Sequence, residues 1–134
     1  MDAKALIQRH EGYRDRVYLD TEGIPTVGWG HAFLPGSKVS REICEMLFDA
    51  DYADACRDYT TLGLTLNPVR RSVIINMLFN LGLPRFAKFR RLLDALRRGD
   101  YSQAAAEMLD SKWAKQVGNR ADDLAEMMRA GKDL

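Results

Sequence analysis

Between Tyr13 and His31 the apolar residues recur at every second position, while the rest of the chain follows the three-to-four spacing of helices. Val17 and Leu19 share one face of this stretch and Tyr18 and Asp20 the other; further on, Val27, Trp29 and His31 alternate with Thr26, Gly28 and Gly30. A period of two belongs to extended backbone. Thr21-Glu22-Gly23 has the chemistry of a turn between two arms, and Pro25, which lacks an N–H, is expected to keep its arm near a sheet edge. The chain must therefore fold around one small β-hairpin, with a third short strand near Ala32-Phe33. The class is α+β, mostly helical.

The helices have local start and stop signals. Asp2 can cap a first helix whose stripe is Ala3, Leu6, Ile7 and His10, and Gly12 ends it. Leu34-Pro35-Gly36-Ser37 reads as a loop, and Ser40 as the cap of a long helix reaching about Tyr59, with Ile43, Leu47 and Ala50 as its apolar stripe. Asn67-Pro68 reads as an N-cap followed by Pro at the first helical position. The helix from Pro68 to Leu81 is nearly all apolar, which predicts a central position. Gly82 stops it, and Pro84 opens a helix carrying Phe86, Phe89, Leu93 and Leu96. Gly99-Asp100 separates that helix from Tyr101–Leu109. A short helix follows over Ser111–Gln116, and Asn119 is expected to cap the last one.

Composition narrows the class further. At 134 residues and 46% hydrophobic, the chain is long enough for one compact domain with a real core. The formal net charge of +1 provides no global field to recruit an anionic polymer. From Arg85 to Arg98 the only acid is Asp94, and this basic run reads as a solvated helix face, with a patch for an acidic polymer as the alternative. Cys44 and Cys56 fall in one expected helix, about 18 Å apart at 1.5 Å per residue. A disulfide needs Cα atoms within about 7 Å, so two free thiols are expected, consistent with synthesis in a reducing cytoplasm. Met1-Asp2-Ala3-Lys4 begins no apolar leader, so no signal peptide is expected, and no run is long enough to span a membrane. The two histidines, His10 and His31, have no zinc-ligand spacing, so neither a metal nor any other cofactor is expected.

The chemistry concentrates at Glu11, Asp20 and Thr26. Two carboxyls and a hydroxyl on a short helix-to-hairpin segment suit hydrolysis of a glycosidic bond: one carboxyl protonates the leaving oxygen, and the other holds or activates a water. The spacing proves little alone, because acids are common at helix ends and in turns.

Three ordered blocks change the weight of that trio. The first is Glu11, Asp20 and Thr26, followed by Gly28-Trp29-Gly30-His31. The second runs from Arg70 to Gly82, through Asn76, Phe79 and Asn80. The third is Ser111-Lys112-Trp113-Ala114-Lys115-Gln116 with Asn119-Arg120-Ala121 after it. Together they resemble the phage-type lysozymes, the endolysins of glycoside hydrolase family 24. The resemblance implies a lysozyme-like fold with an active-site cleft between two lobes. The small β lobe would span 12–39, a bridging helix 40–60, and the helical lobe 61–134, with helix 1–11 packed on the last. It also implies inverting hydrolysis of the β-1,4 bond between N-acetylmuramic acid and N-acetylglucosamine in peptidoglycan. In this reading Glu11 is the general acid, while Asp20 and Thr26 position the water.

Each role has a physical argument beside the resemblance. Glu11 ends a helix, where the dipole opposes negative charge, and packing is expected to desolvate it; both suit a proton donor. Asp20 in the hairpin turn is more open to water, and Thr26 supplies a hydroxyl to orient that water. His31 alternates onto the face opposite Thr26 and reads as structural, pairing with Asp51. Arg120 is expected to pair with Glu11. Ser72, Asn76 and Asn80 form an i, i+4, i+8 polar stripe, which is either a solvent face or a wall for sugar acetamido groups. By the resemblance Phe79 and Asn80 lie at the sugar site. Trp113 suits stacking on a sugar or burial in the core, and is carried with them as a substrate-binding candidate.

Two features depart from the family pattern: the stretch between His31 and the Ser40 helix is very short, and Asp122-Asp123 stands where relatives often continue basic. The principal alternative is a catalytically weak or inactive lysozyme-fold module that binds glycan. A nucleic-acid binder using Arg70, Arg71 and the basic run lacks interleaved aromatics. A lytic transglycosylase would need only the Glu, leaving Asp20 and Thr26 unexplained. The expected partners are peptidoglycan glycan strands, with no nucleic acid, no membrane and a monomeric state. An enzyme made in the host cytoplasm would need a separate pore protein to reach the wall in the periplasm.

Overall fold

The computed structural model describes residues 1–134, as eight helices and one three-stranded antiparallel sheet. The helices are α1 (Ala3–Glu11), α2 (Arg41–Thr61), α3 (Pro68–Leu81), α4 (Leu83–Phe86), α5 (Arg90–Arg98), α6 (Tyr101–Leu109), α7 (Lys112–Val117) and α8 (Asn119–Ala130); the strands are β1 (Arg14–Leu19), β2 (Pro25–Gly28) and β3 (His31–Ala32). The chain divides into two compact units, Met1–Ile43 and Cys44–Leu134.

In the first unit, Asp2 caps α1 by accepting from the Ala5 N–H at 2.8 Å. Gly12 ends the helix at φ 71°, a conformation that costs a glycine nothing. The sheet order is β1-β2-β3, with Tyr18 opposite Thr26 and Thr26 opposite Ala32. The register shifts between Arg14 and Tyr18, where β1 passes four residues against two of β2. Pro25 therefore lies on the central strand, not near an edge. It is tolerated as the strand's first residue, where it needs no N–H of its own and its carbonyl still accepts from Phe33 at 2.9 Å. Thr26, at 3% exposure, is the unit's one buried residue. The stripe expected on α1 is not buried, and Leu6 and Ile7 are exposed.

The second unit holds the core. Ser40 lies just before α2 and accepts from the Ile43 N–H. The expected stripe Ile43, Leu47 and Ala50 is exposed; α2 instead buries Ala55 and Tyr59 near its C-terminal end. α3 starts at the Asn67 cap with Pro68 at its first position and buries Val73, Ile74, Ile75, Met77 and Leu78, as its all-apolar composition predicts. The single helix expected after Gly82 is two. Phe89, at φ −80° and ψ 61°, interrupts it, with Phe86 and Phe89 stacked across the break at 6.1 Å. α6 starts at the Asp100 cap and packs mainly against α8 and α5, and α7 starts at the Ser111 cap. Asn119 is the first residue of α8 and makes no cap; Gly118, at φ 62°, precedes it. Arg70 secures the other end of α8: its guanidinium donates to the Met128 and Arg129 carbonyls at 2.7 and 3.0 Å and lies over the Tyr101 ring. Cys44 and Cys56 are both free and both on α2. No helix is long and apolar enough to cross a membrane.

Candidate active site

Glu11, Asp20 and Thr26 all belong to the first unit. Asp20 follows β1, and its side chain closes the hairpin turn. Oδ1 accepts from the Glu22 N–H at 2.8 Å and the Ile24 N–H at 2.9 Å, while the Asp20 carbonyl accepts from Gly23. This turn pattern is one in which Asp substitutes its carboxylate for a backbone acceptor. It leaves Oδ2 without a protein partner. Two residues past the turn, Thr26 Oγ1 donates to the Ile24 carbonyl at 2.8 Å. The backbone of Ile24 thus holds both side chains, its N–H fixing Asp20 and its C=O fixing Thr26. A hydroxyl that spends its proton this way keeps its lone pairs for a hydrogen bond from water.

Glu11, the last residue of α1, is exposed rather than desolvated, because no apolar side chain of its unit covers it. Its carboxyl lies against the backbone of Gly30 in the turn between β2 and β3. Around that turn Tyr13 and Trp29 bring their rings to 4.7 Å, and Arg14 lies over the Tyr18 ring at 4.2 Å. His31 pairs with Val27 across β2 and β3, on the face opposite Thr26 as its alternation predicts, and meets Phe33 edge-on at 5.2 Å.

The second unit carries the other candidates. A cavity of about 320 Å³ is lined by Phe48, Tyr52, Ser72, Ile75, Asn76, Phe79 and Arg120. Arg120 donates from Nε and a terminal nitrogen to Asn76 Oδ1, at 3.0 and 2.6 Å, so these two expected site residues hold each other. Phe79 is half-exposed and 5.4 Å from Phe48. Trp113 is corrected from a stacking surface to a core residue. At 3% exposure it has no free face to offer a sugar, and its indole N–H donates to Asn80 Oδ1 at 2.8 Å. Asn80 remains exposed, with its amide protons available. Asp51 is exposed on α2. The polar stripe of α3 is thus a set of anchors: Ser72 to the Pro68 carbonyl, Asn76 to Arg120, Asn80 to Trp113.

Three contributors escaped the sequence reading. Phe48 and Tyr52, four apart on α2, line the cavity, and their helical spacing was the available signal. Ile24 acts through its backbone, which composition does not reveal. The basic run contributes Lys88, Arg90 and Arg91 to a separate cavity of about 370 Å³, where Glu107 and Asp110 face them, so the surface is mixed in sign. No group of three or more His, Cys, Asp or Glu side chains gathers closely enough to hold a metal ion.

The family model for phage lysozyme matches residues 8–130, which takes in Glu11, Asp20, Thr26 and Arg120. The chain belongs to the phage lysozyme family. It is 31% identical to the pre-baseplate central spike protein Gp5 of Enterobacteria phage T4, over 98% of this chain and 28% of the spike protein. It is 27% identical to the probable T4-type lysozyme 1 of Dictyostelium discoideum, over 96% of this chain and 94% of that protein. It is 33% identical to the endolysin of Acyrthosiphon pisum secondary endosymbiont phage 1, over 85% of this chain and 78% of that endolysin. The chain therefore spans under a third of the spike protein and most of the Dictyostelium protein and of the endolysin.

Proposed function

We propose that this member of the phage lysozyme family is a peptidoglycan muramidase that cleaves the β-1,4 bond between N-acetylmuramic acid and N-acetylglucosamine with inversion. The observation that carries the reading is the single backbone residue, Ile24, that fixes Asp20 and Thr26 together while both keep acceptor capacity for a water. Glu11, in the same unit, protonates the leaving glycosidic oxygen. The water held by Asp20 Oδ2 and Thr26 Oγ1 attacks the anomeric carbon from the opposite side, and Asp20 accepts its proton or stabilises the positive charge developing on the sugar. Inversion of a β-bond delivers an α-anomer and needs the two carboxyls roughly 6.5–9.5 Å apart to admit the water.

The substrate-binding part of this reading rests on Phe79, which is exposed for contact with a sugar face, and on the free amide protons of Asn80, which suit an acetamido carbonyl. The division into 12–39, 40–60 and 61–134 and the action on the cell wall, with a separate pore protein giving access, belong to the same proposal.

Turbidity loss of permeabilised Gram-negative cell walls, measured with wild type and Glu11→Gln side by side, tests it. Clearing with new reducing ends by wild type alone supports the muramidase. Equal clearing by both removes Glu11 from the chemistry. The second reading, a glycan-binding module with little or no catalysis, is favoured by the thin burial of the first unit. It predicts that neither protein clears walls while both still sediment with them.

A further inference from the structure

We propose that Gly30 is a positioning residue for the Glu11 carboxyl, an inference that rests on the assignment of Glu11 as the acid. Glu11 accepts no hydrogen bond and makes no ion pair within its unit, so no polar group of that unit aims its carboxyl. What it does touch is Gly30: a Cβ placed there would lie 2.7 Å from Glu11 Oε2, 2.9 Å from Cδ and 3.4 Å from Cγ. The carboxyl therefore rests in the space that the missing side chain leaves free. Every other residue type would fill that space and push the carboxyl away.

The displacement would be cheap for the fold and costly for the reaction. Glu11 is exposed, and its end can swing aside with little loss of packing. A proton donor, by contrast, must stay within hydrogen-bond reach of the leaving oxygen, and a misplacement of about 1 Å can cost about a hundredfold in rate. Gly28, two residues earlier, separates this effect from backbone strain. It too has a positive φ, 67° against 81° for Gly30, yet a Cβ there meets nothing within 4 Å. Alanine is strained at both positions, but only at Gly30 does it strike Glu11.

The test compares Gly30→Ala with Gly28→Ala in kcat, KM, melting temperature and the side-chain carboxyl ¹³C signal of Glu11. The expected result is a similar drop in melting temperature for both. Gly30→Ala should lose about tenfold or more in kcat with KM little changed, and its Glu11 signal should move. Gly28→Ala should keep kcat within about threefold and leave that signal in place. Equal kcat in the two variants, or an unmoved Glu11 signal in Gly30→Ala, overturns the proposal. If Gly30→Ala fails to fold, Gly30→Asn replaces it, since Asn tolerates positive φ and carries the same Cβ. The carboxyl signal is read whether or not the enzyme turns over, so an active Glu11→Gln would sink the assignment of the acid while the contact with Gly30 is still judged separately.

Discussion

Met1–Ile43 and Cys44–Leu134 keep their shapes by different means. The first unit buries only Thr26; its backbone is shaped by a cap at Asp2, the side chain of Asp20 in the hairpin turn and glycines at positive φ. The second buries the whole apolar core, with Val73, Ile74, Met77, Phe86, Met108 and Met128 sealed from solvent. Yet the first unit carries the candidate chemistry. Hydrogen bonds and turns place a few polar atoms accurately without a large core, leaving Glu11 exposed and Asp20 half-buried while Thr26 is enclosed. The core of the second unit supplies stability, which grows with buried apolar area.

That contrast breaks first under truncation. Phe86→Ala should cost about 3–5 kcal/mol, read by denaturant unfolding of the helical unit, because it opens a cavity at a fully buried site. Leu19→Ala, at 67% exposure in the first unit, should cost less than about 0.5 kcal/mol. Similar losses in the two would refute the division of labour. Next in size is Arg70→Ala, which frees the Met128 and Arg129 carbonyls at the end of α8. A loss of about 1–3 kcal/mol and faster amide exchange confined to the last turn of α8 are expected.

Thr26→Val sharpens the comparison from the other side. It keeps the shape and removes the hydroxyl bound to Ile24. Wall-clearing activity should fall about tenfold, with a stability loss of about 1 kcal/mol. Unchanged activity would remove Thr26 from the site. The smallest effect is expected at Glu126, whose carboxyl titrates below its ordinary value because Arg129 donates hydrogen bonds to it on the surface of α8. A lowered acid stabilises the fold above its ordinary value of 4.5 and loses that contribution as pH falls through its folded value. Glu126→Gln should therefore lower the melting temperature slightly at pH 7, and the difference from wild type should vanish in strong acid. A difference that persists there would assign the effect to packing.

Much of the architecture was legible because its causes are local. Asp2, Ser40 and Asn67 each cap the helix that follows by accepting from an N–H three residues on, a pattern visible in a few letters. The alternation around Thr26 placed the hairpin and set His31 on the opposite face. The misreadings share a different cause. Phe89 fits a helical stripe, but its ring stacks on Phe86 and the helix breaks there. Trp113 is not among them: of the two places open to it, a sugar surface or the core, it takes the core, and its partner Asn80 lies thirty-three residues away. Asn119 has the chemistry of a cap, yet Gly118 takes that position.

The sequence by itself determined the α+β class, the helix starts at Asp2 and Asn67, the free thiols and the resemblance to the phage lysozymes, and it nominated Glu11, Asp20 and Thr26 as candidates. Each of these follows from residue type and short-range spacing. Tertiary structure alone decided that Ile24 ties Asp20 to Thr26, that Arg120 and Asn76 hold each other, and that the Glu11 carboxyl occupies the space left by Gly30. These depend on where the backbone turns in space and on atoms brought within about 3 Å of one another, which no sequence pattern encodes.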